Sequence, residues 1–112
     1  MSRKVDSFEQ FPEHDRAVTA WFAQNAWPVS ARFANDHHDV FVWRFESISL
    51  DSQRTLRVTQ NVLEDVPPSV LVEFMDGVSL ARTLSRYPTK YIVIKQTDAR
   101  ATIVEVLDSP PR

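Results

Sequence analysis

Residues 40–50 read VFVWRFESISL and residues 55–63 read TLRVTQNVL, joined by Asp51-Ser52-Gln53-Arg54. In both runs apolar and polar residues alternate with period two, the pattern of a strand with one buried face. Across an even-length loop, Phe41, Trp43 and Phe45 share a face with Leu56, Val58 and Val62, which predicts the core face. The opposite face carries Arg44, Glu46, Arg57, Thr59 and Asn61 and belongs in water. The two alternations agree, so the segment reads as an antiparallel hairpin.

Toward the N-terminus, Val29, Ala31 and Phe33 alternate with Ser30, Arg32 and Ala34, which predicts a short strand. Asn35-Asp36-His37-His38 reads as the turn after it. A helix is predicted from Pro12 to about Asn25. Pro12 suits a first helical turn, and Glu13 and Asp15 lie at the positive end of the helix dipole. Val18, Trp21, Phe22 and Asn25 recur at helical spacing, and Pro28 ends the element. Residues 1–10 are polar and read as a flexible arm.

Toward the C-terminus, Glu64-Asp65-Val66-Pro67-Pro68 opens a second helix, with Asp65 or Val66 as cap and Pro67 in the first turn. Val70, Leu71, Phe74, Val78, Ala81 and Leu84 form its stripe out to Tyr87. Gly77 interrupts the stripe and can divide it into two helices, with Ser79 capping the second; Pro88 ends it. Tyr91–Gln96 and Ala101–Leu107 make a second hairpin around Thr97-Asp98-Ala99-Arg100. Here both faces are apolar: Ile92, Ile94 and Ile103 on one, Tyr91, Val93, Val104 and Val106 on the other. Such a hairpin expects cover on both sides. Residues 108–112 are a tail. The expected fold is therefore α+β, one domain over residues 1–112, in the order α-β-β-β-α-β-β: a single antiparallel sheet of about five strands with two helices mainly on one face.

Composition narrows the function. A chain of 112 residues has the size of one domain. Its 43% apolar and 25% charged residues exclude disorder. The net charge of −2 is well mixed along the chain, so no single-sign field demands nucleic acid, anionic lipid or a charged substrate. The absence of cysteine removes disulfides, thiolate metal sites and cysteine nucleophiles. No apolar segment follows the basic pair Arg3-Lys4, and no apolar run approaches the ~20 residues of a membrane span, so a cytoplasmic protein is expected. The single glycine, Gly77, excludes a P-loop, a dinucleotide fingerprint and a G-x-S-x-G elbow, which need backbone at positive φ or in close approach. Ten arginines against three lysines suggest a GC-rich bacterial genome.

Four groups of residues carry chemistry. Asp36, His37, His38 and Asp39 hold metal-ligand atoms, but adjacent histidines point apart and a solvated turn explains them; no metal or cofactor is expected. Glu64, Asp65, Glu73 and Asp76 are explained by helix capping and a solvated helix face, so no catalytic residue is assigned and no enzyme is expected. Arg32, Arg44 and Arg57, with the aromatic strand, carry an alternative reading as a nucleic-acid-binding regulator. A cross-strand ion pair of Glu46 with Arg57 explains part of that set, and nucleic acid is not the expected partner. The apolar patch Tyr91, Val93, Val104 and Val106 is the expected partner surface. A symmetric homodimer covers such a patch most simply, another protein next, by burial of the face or by strand addition at a sheet edge.

The order helix, three strands, helix, two strands, with an acidic balance, resembles that of small bacterial chaperones for secreted effectors. The resemblance implies protein binding. Those chaperones carry a further C-terminal helix that residues 108–112 do not supply. A third reading is a small-molecule-binding protein or enzyme with a pocket between helices and sheet.

Overall fold

The computed structural model describes residues 10–35, 40–45, 54–87 and 90–108. Within them the chain is α+β. Helix α1 (Pro12–Gln24) leads into strands β1 (Val29–Asn35), β2 (Val40–Phe45) and β3 (Arg54–Thr59). Helices α2 (Gln60–Asp65), α3 (Pro68–Gly77) and α4 (Leu80–Arg86) follow, then β4 (Tyr91–Gln96) and β5 (Thr102–Leu107). The strands form one sheet in chain order, β1-β2-β3-β4-β5. The expected arm lies outside the described residues except Gln10, and the tail except Asp108; so do the His37-His38 turn and residues 46–50.

Two expectations are corrected. The sheet is mixed: β3 and β4 run parallel, the other neighbours antiparallel. A tight turn can only reverse a strand. The link from β3 to β4 is a helical excursion long enough to return the chain to the same end, as a parallel pair requires. The helices number four among the described residues rather than two. The strand expected over 55–63 stops at Thr59, and α2 begins at Gln60. Continued as a strand, Val62 and Leu63 would point to opposite faces. One helical turn buries both, at 0% and 2% exposure.

The hairpin register is that expected from the alternation: Phe41 lies opposite Val58 and Trp43 opposite Leu56. These residues, with Phe45, Ile92 and Ile94, face the helices. Val18, Trp21 and Phe22 of α1, Val62 and Leu63 of α2, Leu71 and Met75 of α3, and Leu80 and Leu84 of α4 complete one core. Phe22 stacks on Phe45 at 4.6 Å, and Trp27 tilts against Phe45 at 5.4 Å. Trp21 lies in the core and Trp27 packs against it. Polar ties fix the helices over the sheet. The indole N–H of Trp21 donates to Asp76 Oδ1 at 2.9 Å, and His14 Nε2 bonds the Val66 carbonyl at 2.6 Å.

The helical stripe after Pro67 is shifted from expectation. Met75 and Leu80 are buried, whereas Val70 and Val78 are 47% and 40% exposed. The break between α3 and α4 falls at Val78-Ser79, and Ser79, not Gly77, takes the left-handed conformation, with φ 55°. Ser79 makes no side-chain capping bond.

Candidate interaction surface

All four helices bury their apolar sides in one core on one face of the sheet. Val40, Val42 and Val93 are also buried but do not belong to that core. They sit on the opposite, outer face. The registers set its rows. Phe33, Val42, Arg57, Val93 and Glu105 stand side by side across all five strands. Ala31, Arg44 and Thr55 flank that row on one side, and Tyr91 and Leu107 extend it over β4 and β5.

Two arginine–aromatic contacts organise this face. The Arg44 guanidinium lies 5.5 Å from the Phe33 ring centroid, and that of Arg57 5.0 Å from the Tyr91 ring. Such contacts contribute about 0.5–1 kcal/mol each at exposed sites. Arg57 also donates to Thr55 Oγ1 at 2.6 Å. Burial lowers the Arg57 pKa from its ordinary value, the neighbouring Tyr91 opposes that shift, and the positive charge of Arg44 adds to it. The outer face thus holds two like charges beside each other, cushioned by rings. Lys95 and Glu105 pair across β4 and β5 at 2.8 Å.

The four residues expected to form one partner patch do not share a face. Tyr91 lies opposite Leu107 and Val93 opposite Glu105, so Tyr91 and Val93 point outward while Val104 and Val106 point to the helices. Ile103, expected beside Ile92 and Ile94, is on the outer face instead. The cause is the turn. Arg100 N–H donates to the Thr97 carbonyl and Thr97 N–H to the Ala101 carbonyl, with Arg100 left-handed at φ 63°. This three-residue loop with a bulge pairs Gln96 with Thr102, one residue later than the Ala101 that the four-residue turn assumed from sequence would set there. A one-residue shift moves every side chain of β5 to the other face. Much of the expected patch is also already covered: Val93 is 3% exposed, Tyr91 lies beneath Arg57, and Val104 packs on the core. Val106 remains 40% exposed.

The arginine set is divided as well. Arg44 and Arg57 share the outer face, but Arg32 lies opposite Trp43 on the helix face, because a bulge between Val29 and Ala31 shifts the strand. There Arg32 Nε bonds Asp15 Oδ2 at 3.1 Å. Asp15 also accepts from Trp43 Nε1 and Thr19 Oγ1, each at 3.2 Å. Phe41, Trp43 and Phe45 are buried and offer no stacking platform. An open groove of about 800 Å³ runs between α1 and β1, lined by Asp15, Arg16, Thr19, Ala20, Ala23 and Arg32.

Of the carboxylates weighed as an acid–base pair, Asp76 holds Trp21 and Glu64 accepts from Gln60 on its own helix. Asp36, His37, His38 and Asp39 lie outside the described residues. Among the described residues no three His, Asp or Glu side chains gather as a metal site. Among the described residues no helix is long and apolar enough to cross a membrane.

The sequence reading missed Phe33 as an outer-face residue and Asp15 as a hub. Phe33 was legible only with the β1 bulge in hand. Compared with known protein families, characterised proteins and solved structures, the chain finds no match in any of the three. Its class rests on the geometry: a five-stranded mixed sheet, helices on one face, and an edge hairpin at the C-terminal side.

Proposed function

We propose that this is a non-catalytic, cytoplasmic protein-binding module that self-associates through its C-terminal hairpin. The supporting observation is β5. It is an edge strand, rich in Ile, Val and Leu, and none of its residues is fully buried. An edge of this kind presents unpaired backbone groups and apolar side chains to another chain. Of the four patch residues, Val106, at 40% exposure on the helix side, is the one left open beside that edge. Light scattering on the full chain at rising concentration tests the reading. A mass that doubles supports it; a single-chain mass at every concentration sinks it.

A nucleic-acid reading retains only the outer face, where Arg44 and Arg57 stand beside Phe33 and Tyr91. It requires binding of single strands that weakens steeply with salt. Arg44→Ala with Arg57→Ala should then abolish retention; a native chain that retains no oligonucleotide at low salt removes this reading.

A further inference from the structure

The two edges of the sheet are built differently. β1 carries a bulge, and Arg32 with its partner Asp15 lies along it. Bulges and charges are the devices that keep an edge from pairing with another chain. The register of β5 is unbroken over Thr102–Leu107, and the strand contains no proline or lysine. Its one charged residue, Glu105, is held by Lys95 of the neighbouring strand.

The hydrogen-bond phase of β5 follows from the turn. Thr97 N–H donates to the Ala101 carbonyl. In an antiparallel ladder the bonded pairs alternate. The pairs Lys95–Ile103, Val93–Glu105 and Tyr91–Leu107 therefore exchange bonds within the sheet. The N–H and C=O groups of Thr102, Val104 and Val106 point the other way, to the free edge.

Two copies related by a two-fold axis through the sheet can pair only by placing these outward residues opposite one another. Few registers satisfy this. Centring on Glu105 sets two carboxylates face to face at a close pair, which is destabilising. Centring on Ile103 or Val106 leaves much of the strand unpaired. Centring on Val104 sets Val104 against its own copy and Thr102 against Val106. It also brings Arg100 of each copy opposite Asp108 of the other. Both are exposed, the Asp108 side chain at 84%, although Asp108 already pairs with Lys90 of its own chain. This register is self-complementary in backbone, packing and charge.

Resting on the self-association reading above, we propose that the partner is a second copy bound edge to edge. Antiparallel β5–β5 pairing centred on Val104 joins two five-stranded sheets into one of ten. The pairing covers the exposed Val106 and leaves both outer faces on the same side of the joined sheet.

The test is light scattering on the full native chain and on variants. Val106→Pro removes an outward N–H and no bond to β4, so the mass should fall to one chain while circular dichroism stays native. Arg100→Asp and Asp108→Arg should each weaken the dimer about three- to tenfold, two exposed pairs being lost by symmetry, and the double swap should restore it. If Val106→Pro fails to fold, the charge swaps decide alone. A native dimer indifferent to all of these overturns the edge register and leaves self-association standing. A native chain that stays single at every concentration overturns both.

Discussion

The glycine and the left-handed residue of the α3–α4 junction are two positions apart, and moving the glycine should stabilise the protein. Gly77 is the last residue of α3 and does not have positive φ; a Cβ built there meets nothing within 4 Å. Gly77→Ala should therefore add about 0.4–1 kcal/mol by reducing the freedom of the unfolded chain. Ser79 is left-handed at φ 55° and makes no capping bond through its hydroxyl. An L-residue there costs roughly 1–2 kcal/mol, and glycine gives back about 0.5–1 kcal/mol in extra unfolded entropy. Ser79→Gly should thus add between about 0 and 1.5 kcal/mol. The double variant should gain about 1.5 kcal/mol. For a chain of this length that is roughly 6 °C in Tm, from an unfolding entropy of about 2.1 cal/mol/K per residue. Urea and thermal unfolding of the four proteins of the cycle measure it. A Ser79→Gly variant that loses more than about 1 kcal/mol would refute the argument, because it would mean that the serine side chain contributes more than its backbone strain costs.

Asp15→Ala removes the acceptor of Trp43, Thr19 and Arg32 and should cost about 2–3 kcal/mol in urea unfolding, whereas Arg32→Ala, at 46% side-chain exposure, should cost under about 1 kcal/mol; equal costs would place the weight on the ion pair instead. Arg57→Met keeps the stem over Tyr91 and removes a partly desolvated charge beside Arg44, so stability should change by less than about 0.5 kcal/mol or rise; a loss above about 1 kcal/mol would make the cation–ring contact dominant. His14→Ala should loosen α1 from the α2–α3 junction at a cost near 1 kcal/mol, read from thermal unfolding, since it deletes the bond to the Val66 carbonyl.

The sequence by itself determined what depends on local period and punctuation. Val18, Trp21 and Phe22 at helical spacing after Pro12 placed α1, and the shared alternation of Phe41, Trp43, Leu56 and Val58 placed the first hairpin and its core face. That hairpin was legible because any even-length loop yields the same faces, so the answer did not depend on the turn. The second hairpin was not, because both its faces are apolar and only the loop decides which side of β5 meets the core. Arg100, a residue with no sequence signal for positive φ, supplies the bulge that turned Val104 and Val106 inward. The bulge in β1 did the same to Arg32, separating it from Arg44 and Arg57. Only the tertiary structure decided that Gln60–Asp65 is helical, since it takes packing on β3 and β4 within the assembled core to make burial of both Val62 and Leu63 worth ending a strand. Period is a property of neighbours along the chain. Register, face and edge belong to contacts between distant segments, and a single residue gained in a turn reverses them.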